Sequence, residues 1–228
     1  MTGPILPATE VVVGGEEFHH AVRVARVREG EEVELFDGRG ALASGKVRLV
    51  GRDHVTVMVE QELPSREARI AVHLAVAIIQ LEKFELVLQK ATELGVRSII
   101  PLITDRVEIR PERYRGRAGR WEKIVFEAAK QCGRAVVPPV EPATTFGEAV
   151  KAGMTRIVFD ADAAADPAPA ALTEVTLLVG PEGGWSEEEI ALARRSGCVF
   201  QRLGPRRLRA ETAAIAATAI IAARHGDI

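Results

Sequence analysis

The chain reads as an α/β protein in two parts: a small β-barrel over residues 1–69 and a mainly parallel α/β sheet over residues 70–228. Three observations predict this. Short β runs divided by glycine turns fill the first part, apolar β runs alternate with helical stretches in the second, and a polar, proline-bearing segment, Leu63-Pro64-Ser65-Arg66-Glu67, separates the two patterns.

In the first part the β runs are Val11-Val12-Val13, Glu32 to Phe36, Ala43 to Leu49 and Val55 to Glu60. Gly14-Gly15, Asp37-Gly38-Arg39-Gly40 and Gly51-Arg52-Asp53 punctuate them, and one helical stretch lies near Phe18 to Val27. In the second part Ala71 to Ile79 is the first strand. Phe84, Val87, Leu88, Ala91 and Leu94 then recur at helical spacing, and Gly95 stands where a left-handed cap is wanted. A strand at Ser98 to Ile103 precedes a helix with Trp121, Ile124, Val125, Ala128, Ala129 and Cys132 on one face. Thr145 with Glu148 forms a capping box, followed by a strand at Arg156 to Phe159 and a loop at Asp160 to Pro169. The last two units are Thr176 to Val179 with a helix from Ser186, and Val199 to Leu203 with an Ala-rich helix from about Glu211.

Composition excludes several classes. With 228 residues, 47% hydrophobic and 27% charged, the chain can bury a sizeable core, which excludes disorder. Lys plus Arg is 30 against 32 Asp plus Glu, so bulk positive charge cannot bind nucleic acid and any basic site is local. The longest apolar runs, Ile70 to Ile79 and Ala213 to Ala223, fall short of the roughly 20 residues that span a bilayer. The first residues lack the pattern of a signal peptide, which points to a cytoplasmic protein. Cys132 and Cys198 belong to no CxxC pair, so neither a disulfide framework nor a zinc site is predicted; both read as buried thiols.

Two loops carry the chemistry. Val179-Gly180-Pro181-Glu182-Gly183-Gly184-Trp185 follows an apolar strand and ends at Ser186, which forms a capping box with Glu189. Its three glycines let a ligand approach the backbone at the carboxyl end of a strand, where open α/β sheets bind small molecules; a plain tight turn is the alternative. Glu187, Glu188 and Glu189 occupy the helical turn where a phosphate would sit, and Ile157 to Ala193 holds eight acidic residues and no basic one. A neutral or cationic ligand fits better than a nucleotide diphosphate. The second loop, Leu203-Gly204-Pro205-Arg206-Arg207-Leu208-Arg209-Ala210, reverses the sign, bringing with Arg202 four arginines within eight residues. A further cluster, Arg106, Arg110, Arg113, Arg115, Arg117 and Arg120, faces only Glu108 and Glu112. Ordinary solvated surface is the other reading of both clusters; together they favour a nucleic-acid partner.

Taken together, these segments resemble the SPOUT methyltransferases, and within them the RsmE-type family that methylates N3 of a uridine in small-subunit (16S) ribosomal RNA. The resemblance rests on Leu178-Val179-Gly180-Pro181-Glu182-Gly183-Gly184, on Leu203-Gly204 with Leu208-Arg209 and Glu211-Thr212-Ala213, and on Gln89-Lys90-Ala91-Thr92-Glu93-Leu94-Gly95-Val96. Trp121 through Gln131 and, in the first part, His19-His20 with Arg23, Arg26 and Phe36-Asp37-Gly38 support it.

The resemblance implies a SPOUT-type parallel sheet with a C-terminal deep trefoil knot over 70–228 and a PUA-like, RNA-binding β-barrel over 1–69. It implies S-adenosyl-L-methionine as cofactor, held by Leu102, Thr104, Leu178, Val179, Gly180, Pro181, Glu182, Gly183, Gly184, Leu203, Gly204, Leu208 and Arg209. It further implies a homodimer with RNA reaching the cofactor across the subunit junction; the helix Ala213 to Ala223 reads either as part of that junction or as an intrachain core helix. The substrate is small-subunit ribosomal RNA or the assembled subunit, and no metal or membrane is involved. Uridine N3–H has a pKa of roughly 9 to 10, comparable to a phenol, so a cation that stabilises the anion helps at neutral pH. Arg209 and Arg206 are the candidates, and Glu211 either orients one of them, takes the proton, or only begins a helix. Arg23, Arg26, Arg106 and Arg110 are the RNA-binding candidates. His19 and His20 lie in the barrel, far in sequence from the cofactor loops, and read as structural or RNA-contacting. A noncatalytic RNA-binding protein on a knotted scaffold is the alternative function; a nucleotide-dependent enzyme lacks its phosphate cradle.

Overall fold

A computed structural model describes residues 5–107, 114, 116–151, 153–162, 164–167, 169–225 and 228. Arg110, Arg113 and Arg115 of the arginine cluster lie outside the described residues. The chain divides into two compact units, Met1–Glu67 with Gly133–Val137, and Ala68–Cys132 with Pro138–Ile228.

The first unit holds a four-stranded antiparallel sheet, β1 (Glu10–Gly14), β2 (Glu32–Phe36), β3 (Leu42–Val50) and β4 (His54–Glu62), in the order β1-β4-β3-β2. Alternation drives it: Val55, Val57 and Val59 of β4 turn inward against Val11, Val13, Leu35 and Val47, while the intervening residues face outward. The helical stretch after β1 begins and ends three residues earlier than the sequence predicts. It comprises α1 (Gly15–His19), whose Phe18 enters the core, and one turn of π-helix, His20–Val24.

Five residues from the second half of the chain complete this unit. Glu67 anchors them: its carboxylate accepts from the Arg134 guanidinium at 2.6 Å and from the Ala135 and Val136 amides at 3.2 and 3.1 Å. Val137 N–H donates to the Gly38 carbonyl at 3.0 Å, and Gly40 N–H donates to that of Ala135 at 3.2 Å. A linear division of the sequence cannot anticipate this segment, because its partners lie more than sixty positions away.

The second unit is a six-stranded, wholly parallel sheet: β5 (Ala71–Ala77), β6 (Ser98–Ile103), β7 (Thr144–Thr145), β8 (Thr155–Phe159), β9 (Glu174–Val179) and β10 (Val199–Gln201), in the order β10-β8-β9-β5-β6-β7. Its helices are α2 (Leu81–Glu93), α3 (Ala118–Cys132), α4 (Phe146–Ala149), α5 (Glu187–Arg195) and α6 (Ala210–Arg224). The central strands are covered: Leu74 to Ala77 read as one apolar run, Val175 to Val179 as another broken only by Thr176, and all are buried. Helix α2 ends as its sequence predicts, Gly95 taking φ +83° and closing on the Thr92 carbonyl. Trp121, Val125, Ala128 and Ala129 of α3 are buried, and the Trp121 ring packs 4.8 Å from that of Phe84. Cys198 is buried, but Cys132 is only half-buried, and both are free thiols. Helix α6 packs on α2, β5 and β9 through Ala214, Ala217, Thr218, Ile221 and Ala222, which gives it an intrachain core face. No helix among the described residues is long and apolar enough to cross a membrane.

Candidate active site at the carboxyl ends of the strands

Strands β8, β9 and β10 end side by side, and the loops that leave them enclose a cleft of about 660 Å³ including its open mouth. Val179 to Glu182, Gly184 and Trp185 form one wall; Leu203, Gly204 and Arg206 to Leu208 form the second; Phe159 to Asp162 form the third; Ala210 and Ala213 of α6 lie between.

The first wall is fixed by Trp185. Its indole N–H donates to the Phe159 carbonyl at 3.0 Å, its ring packs 4.7 Å from Phe146, and it lies directly under Gly180. Gly184 has φ +70°, and its amide closes a turn onto the Pro181 carbonyl at 2.9 Å. Gly204 in the second wall has φ +93°. A β-carbon at either glycine would meet nothing within 4 Å, so the backbone faces open space there.

Behind the first wall sits a network anchored on α5. Ser186 and Glu189 form the reciprocal capping box that the sequence predicts, with distances of 3.1 and 2.9 Å. The other oxygen of Glu189 accepts the Asp105 amide at 3.1 Å, and the Ser186 hydroxyl donates to the Asp105 carboxylate at 2.6 Å. Burial pushes the Glu189 carboxyl up despite two backbone donors. Arg106, predicted to contact RNA, donates to the Gly183 carbonyl at 2.9 Å. Lys83 donates to Glu182 at 3.0 Å. Burial raises the Glu182 carboxyl, but the Lys83 hydrogen bond, a backbone donor and the charges of Lys83 and Arg209 outweigh it, leaving a net fall.

Of the residues predicted to hold a cofactor, Val179, Gly180, Pro181, Glu182, Gly184, Leu203, Gly204 and Leu208 line the cleft. Leu178 and Leu102 are fully buried in the sheet. Gly183 is turned toward Arg106, 3.2 Å from where its β-carbon would stand. Thr104 is buried beside a second cleft with Asp105, Thr145 and Glu188, and its hydroxyl has no partner among the described residues. Arg206 lines the cleft, while Arg209 is the residue that precedes α6. Both are exposed, and neither side chain makes a hydrogen bond or ion pair among the described residues. Glu211, in the first turn of α6, has one carboxylate oxygen buried without a partner.

The sequence reading missed Phe159, Asp160, Ala161 and Asp162. Asp162 is bonded to Arg207 at 2.6 Å, and its amide is held by the Asp160 side chain at 3.1 Å. The signal that finds them is positional, because this loop leaves the carboxyl end of a parallel strand as the glycine loop does.

Known proteins match this arrangement along the chain. A family model for an RNA methyltransferase domain matches residues 66–222, and one for an RNA methyltransferase PUA domain matches residues 13–60; the class is therefore an RNA methyltransferase. The ribosomal RNA small subunit methyltransferase E of Synechocystis sp. is 35% identical over 95% of this chain and 74% of its own length. That of Bacillus subtilis is 32% identical over 92% of this chain and 88% of its own. The crystal structure of the Neisseria gonorrhoeae ribosomal RNA small subunit methyltransferase E bound to S-adenosyl methionine superposes with a TM-score of 0.89 at 31% identity, covering 96% of this chain and 94% of that one. This chain belongs to the ribosomal RNA small subunit methyltransferase E family.

Proposed function

We propose that the protein transfers a methyl group from S-adenosylmethionine to N3 of a uridine in small-subunit ribosomal RNA. The observation that carries the reading is the glycine-walled cleft at the ends of β8, β9 and β10, in a chain whose residues 66–222 match the RNA methyltransferase domain.

The cleft fits the cofactor. Val179, Leu203, Leu208, Ala210 and Ala213 offer apolar surface to a planar base. Asp160, Asp162 and Glu182 supply negative charge suited to a sulfonium and an ammonium, and Gly184 and Gly204 leave main chain open to close approach. Three glutamates in the first turn of α5 repel a phosphate, which disfavours a dinucleotide. S-Adenosylmethionine supplies a methyl group already activated on sulfur, so the protein's part is alignment and charge. Arg206 and Arg209 stabilise the uridine anion as N3 loses its proton. Glu211, with an unpartnered oxygen, orients one of them or accepts that proton.

Residues 1–69 act as the RNA-binding, PUA-like part and 70–228 as the methyltransferase part, whose carboxyl-terminal stretch forms a deep trefoil knot. Supporting the knot, α6 leaves the β10 edge and returns to pack on the central β5 and β9. A homodimer completes the site. Helix α6 is apolar around its circumference, leaving Ile220 exposed opposite its core face. A ribosomal RNA substrate places the enzyme in the cytoplasm.

The test is methyl transfer from labelled S-adenosylmethionine to small-subunit RNA or the assembled subunit, with mass mapping of the product. A single new methyl on a uridine ring is expected. Tight RNA binding without cofactor binding would instead favour a noncatalytic RNA-binding protein.

A further inference from the structure

The π-helical turn in the first unit ends in a strained residue. Ala25 N–H closes the turn on the His20 carbonyl at 3.0 Å, and Val27 N–H reaches back to the Ala21 carbonyl at 3.0 Å. Between them Arg26 adopts φ +55°, a left-handed conformation that glycine takes freely and that a residue with a β-carbon takes at a cost. Ala21, Val22 and Val27 pack against the core of the unit, so the four residues between them are pushed outward. Val24 is 69% exposed, more than any other large hydrophobic among the described residues. The side chains of Arg23 and Arg26 make no hydrogen bond or ion pair among the described residues, and no acidic residue occurs between Glu17 and Glu29.

Each feature alone is unremarkable on a protein surface. Their coincidence calls for an explanation, because π-turns and left-handed non-glycine residues persist where a side chain must be presented. An arginine in place of the glycine that the backbone favours implies a use for its guanidinium, and an apolar side chain between two free arginines implies a partner with phosphates beside an apolar face.

We propose that Arg23, Val24 and Arg26 form a tip that grips an unpaired segment of RNA, the arginines on neighbouring phosphates and Val24 against the face of an unstacked base. The proposal rests on the RNA methyltransferase reading and deepens it by naming the contact surface and the kind of strand it takes. In duplex RNA base faces are stacked and the major groove is too narrow for side chains, so Val24 finds its partner only in loops, bulges or ends.

The experiment compares binding of the full chain and its variants to a small-subunit ribosomal RNA stem-loop and to a duplex of equal length over a range of salt, alongside thermal unfolding and calorimetry with S-adenosylhomocysteine. Arg26→Gly is expected to raise Tm by about 2 °C through relief of strain, while weakening stem-loop binding several-fold. The slope of log affinity against log salt should become shallower by about one for Arg26→Gly and for Arg23→Ala. Val24→Ser should lose affinity for the stem-loop, keep the wild-type salt slope and leave duplex binding unchanged. Wild-type RNA affinity in Arg26→Gly and Val24→Ser, with S-adenosylhomocysteine still bound, overturns the tip and leaves the methyltransferase reading standing. A lower Tm for Arg26→Gly overturns the strain argument. A wild-type chain that binds neither the RNA nor S-adenosylhomocysteine overturns both readings at once.

Discussion

The indole of Trp185 lies against Gly180, its ring atoms 3.0 to 3.3 Å from where a β-carbon on that glycine would stand. The glycine is required here by close approach. Gly180→Ala should destabilise the protein by about 1–3 kcal/mol through overpacking, since the ring is held by Phe146 and the Phe159 carbonyl and cannot retreat. Thermal unfolding measures the loss. Gly184→Val, where there is space but φ is +70°, should weaken S-adenosylhomocysteine binding in calorimetry by filling the cleft; unchanged affinity would count against the loop as cofactor wall.

Substituting Arg209 should separate chemistry from binding. Its side chain is exposed and makes no hydrogen bond or ion pair among the described residues, so Arg209→Ala should leave the fold intact and lower kcat by about a hundredfold, with a smaller change in cofactor affinity. Single-turnover methyl transfer and calorimetry on the same preparation test this. Equal losses in both would reduce Arg209 to a shaper of the pocket.

Stability should fall in acid, with a sign fixed by the ion pairs. The Arg120 hydrogen bond, aided by the charges of Arg120 and Arg117 and opposed by burial, holds Glu85 below the usual 4.5. Arg66 does the same for Glu34. A folded pKa below the unfolded one means that the unfolded chain binds more protons, so this stability is complete above about pH 4.5 and drains away as pH falls through the folded values. Glu189 runs the other way, because burial raises it, and protonation relieves part of its cost. Urea midpoints should therefore be flat near neutrality and decline in acid, and Glu85→Gln should lower the neutral plateau while flattening the decline.

Arg134 is 5% exposed and pairs with Glu67, so removing it strands a largely buried carboxylate. Arg134→Met should cost about 3–5 kcal/mol, and adding Glu67→Gln should recover part of that. Both tryptophans, Trp121 and Trp185, lie in the second unit, so far-ultraviolet circular dichroism rather than tryptophan fluorescence should report the loss.

Much of this was legible in the sequence, because period and punctuation are local. Alternation marks β4, the stripe from Trp121 marks α3, and the capping boxes at Thr145 and Ser186 stand where Ser or Thr precedes Glu by three. The glycine and arginine loops were legible as a pair of opposite sign, each following an apolar strand. What periodicity does not encode is which distant segments meet. Asp160 to Asp162 read only as a loop, the hydrogen bond of Arg106 to the Gly183 carbonyl left no trace in the pattern, and Trp185 read as the end of a motif rather than its floor. The strand end near Leu102 and Thr104 shows the converse: it follows the same rule of strand ends, yet Leu102 is sealed in the sheet and Thr104 opens on a neighbouring cleft.

The detour of Gly133–Val137 into the first unit sets a timetable for biosynthesis. When the ribosome has released residues up to Glu67, the nascent first unit still lacks the strip that satisfies that carboxylate, and it must wait while β5, α2, β6 and α3 are translated. The first unit therefore cannot mature ahead of α3, and a gene cut at the apparent seam would yield an amino-terminal fragment missing its own clasp.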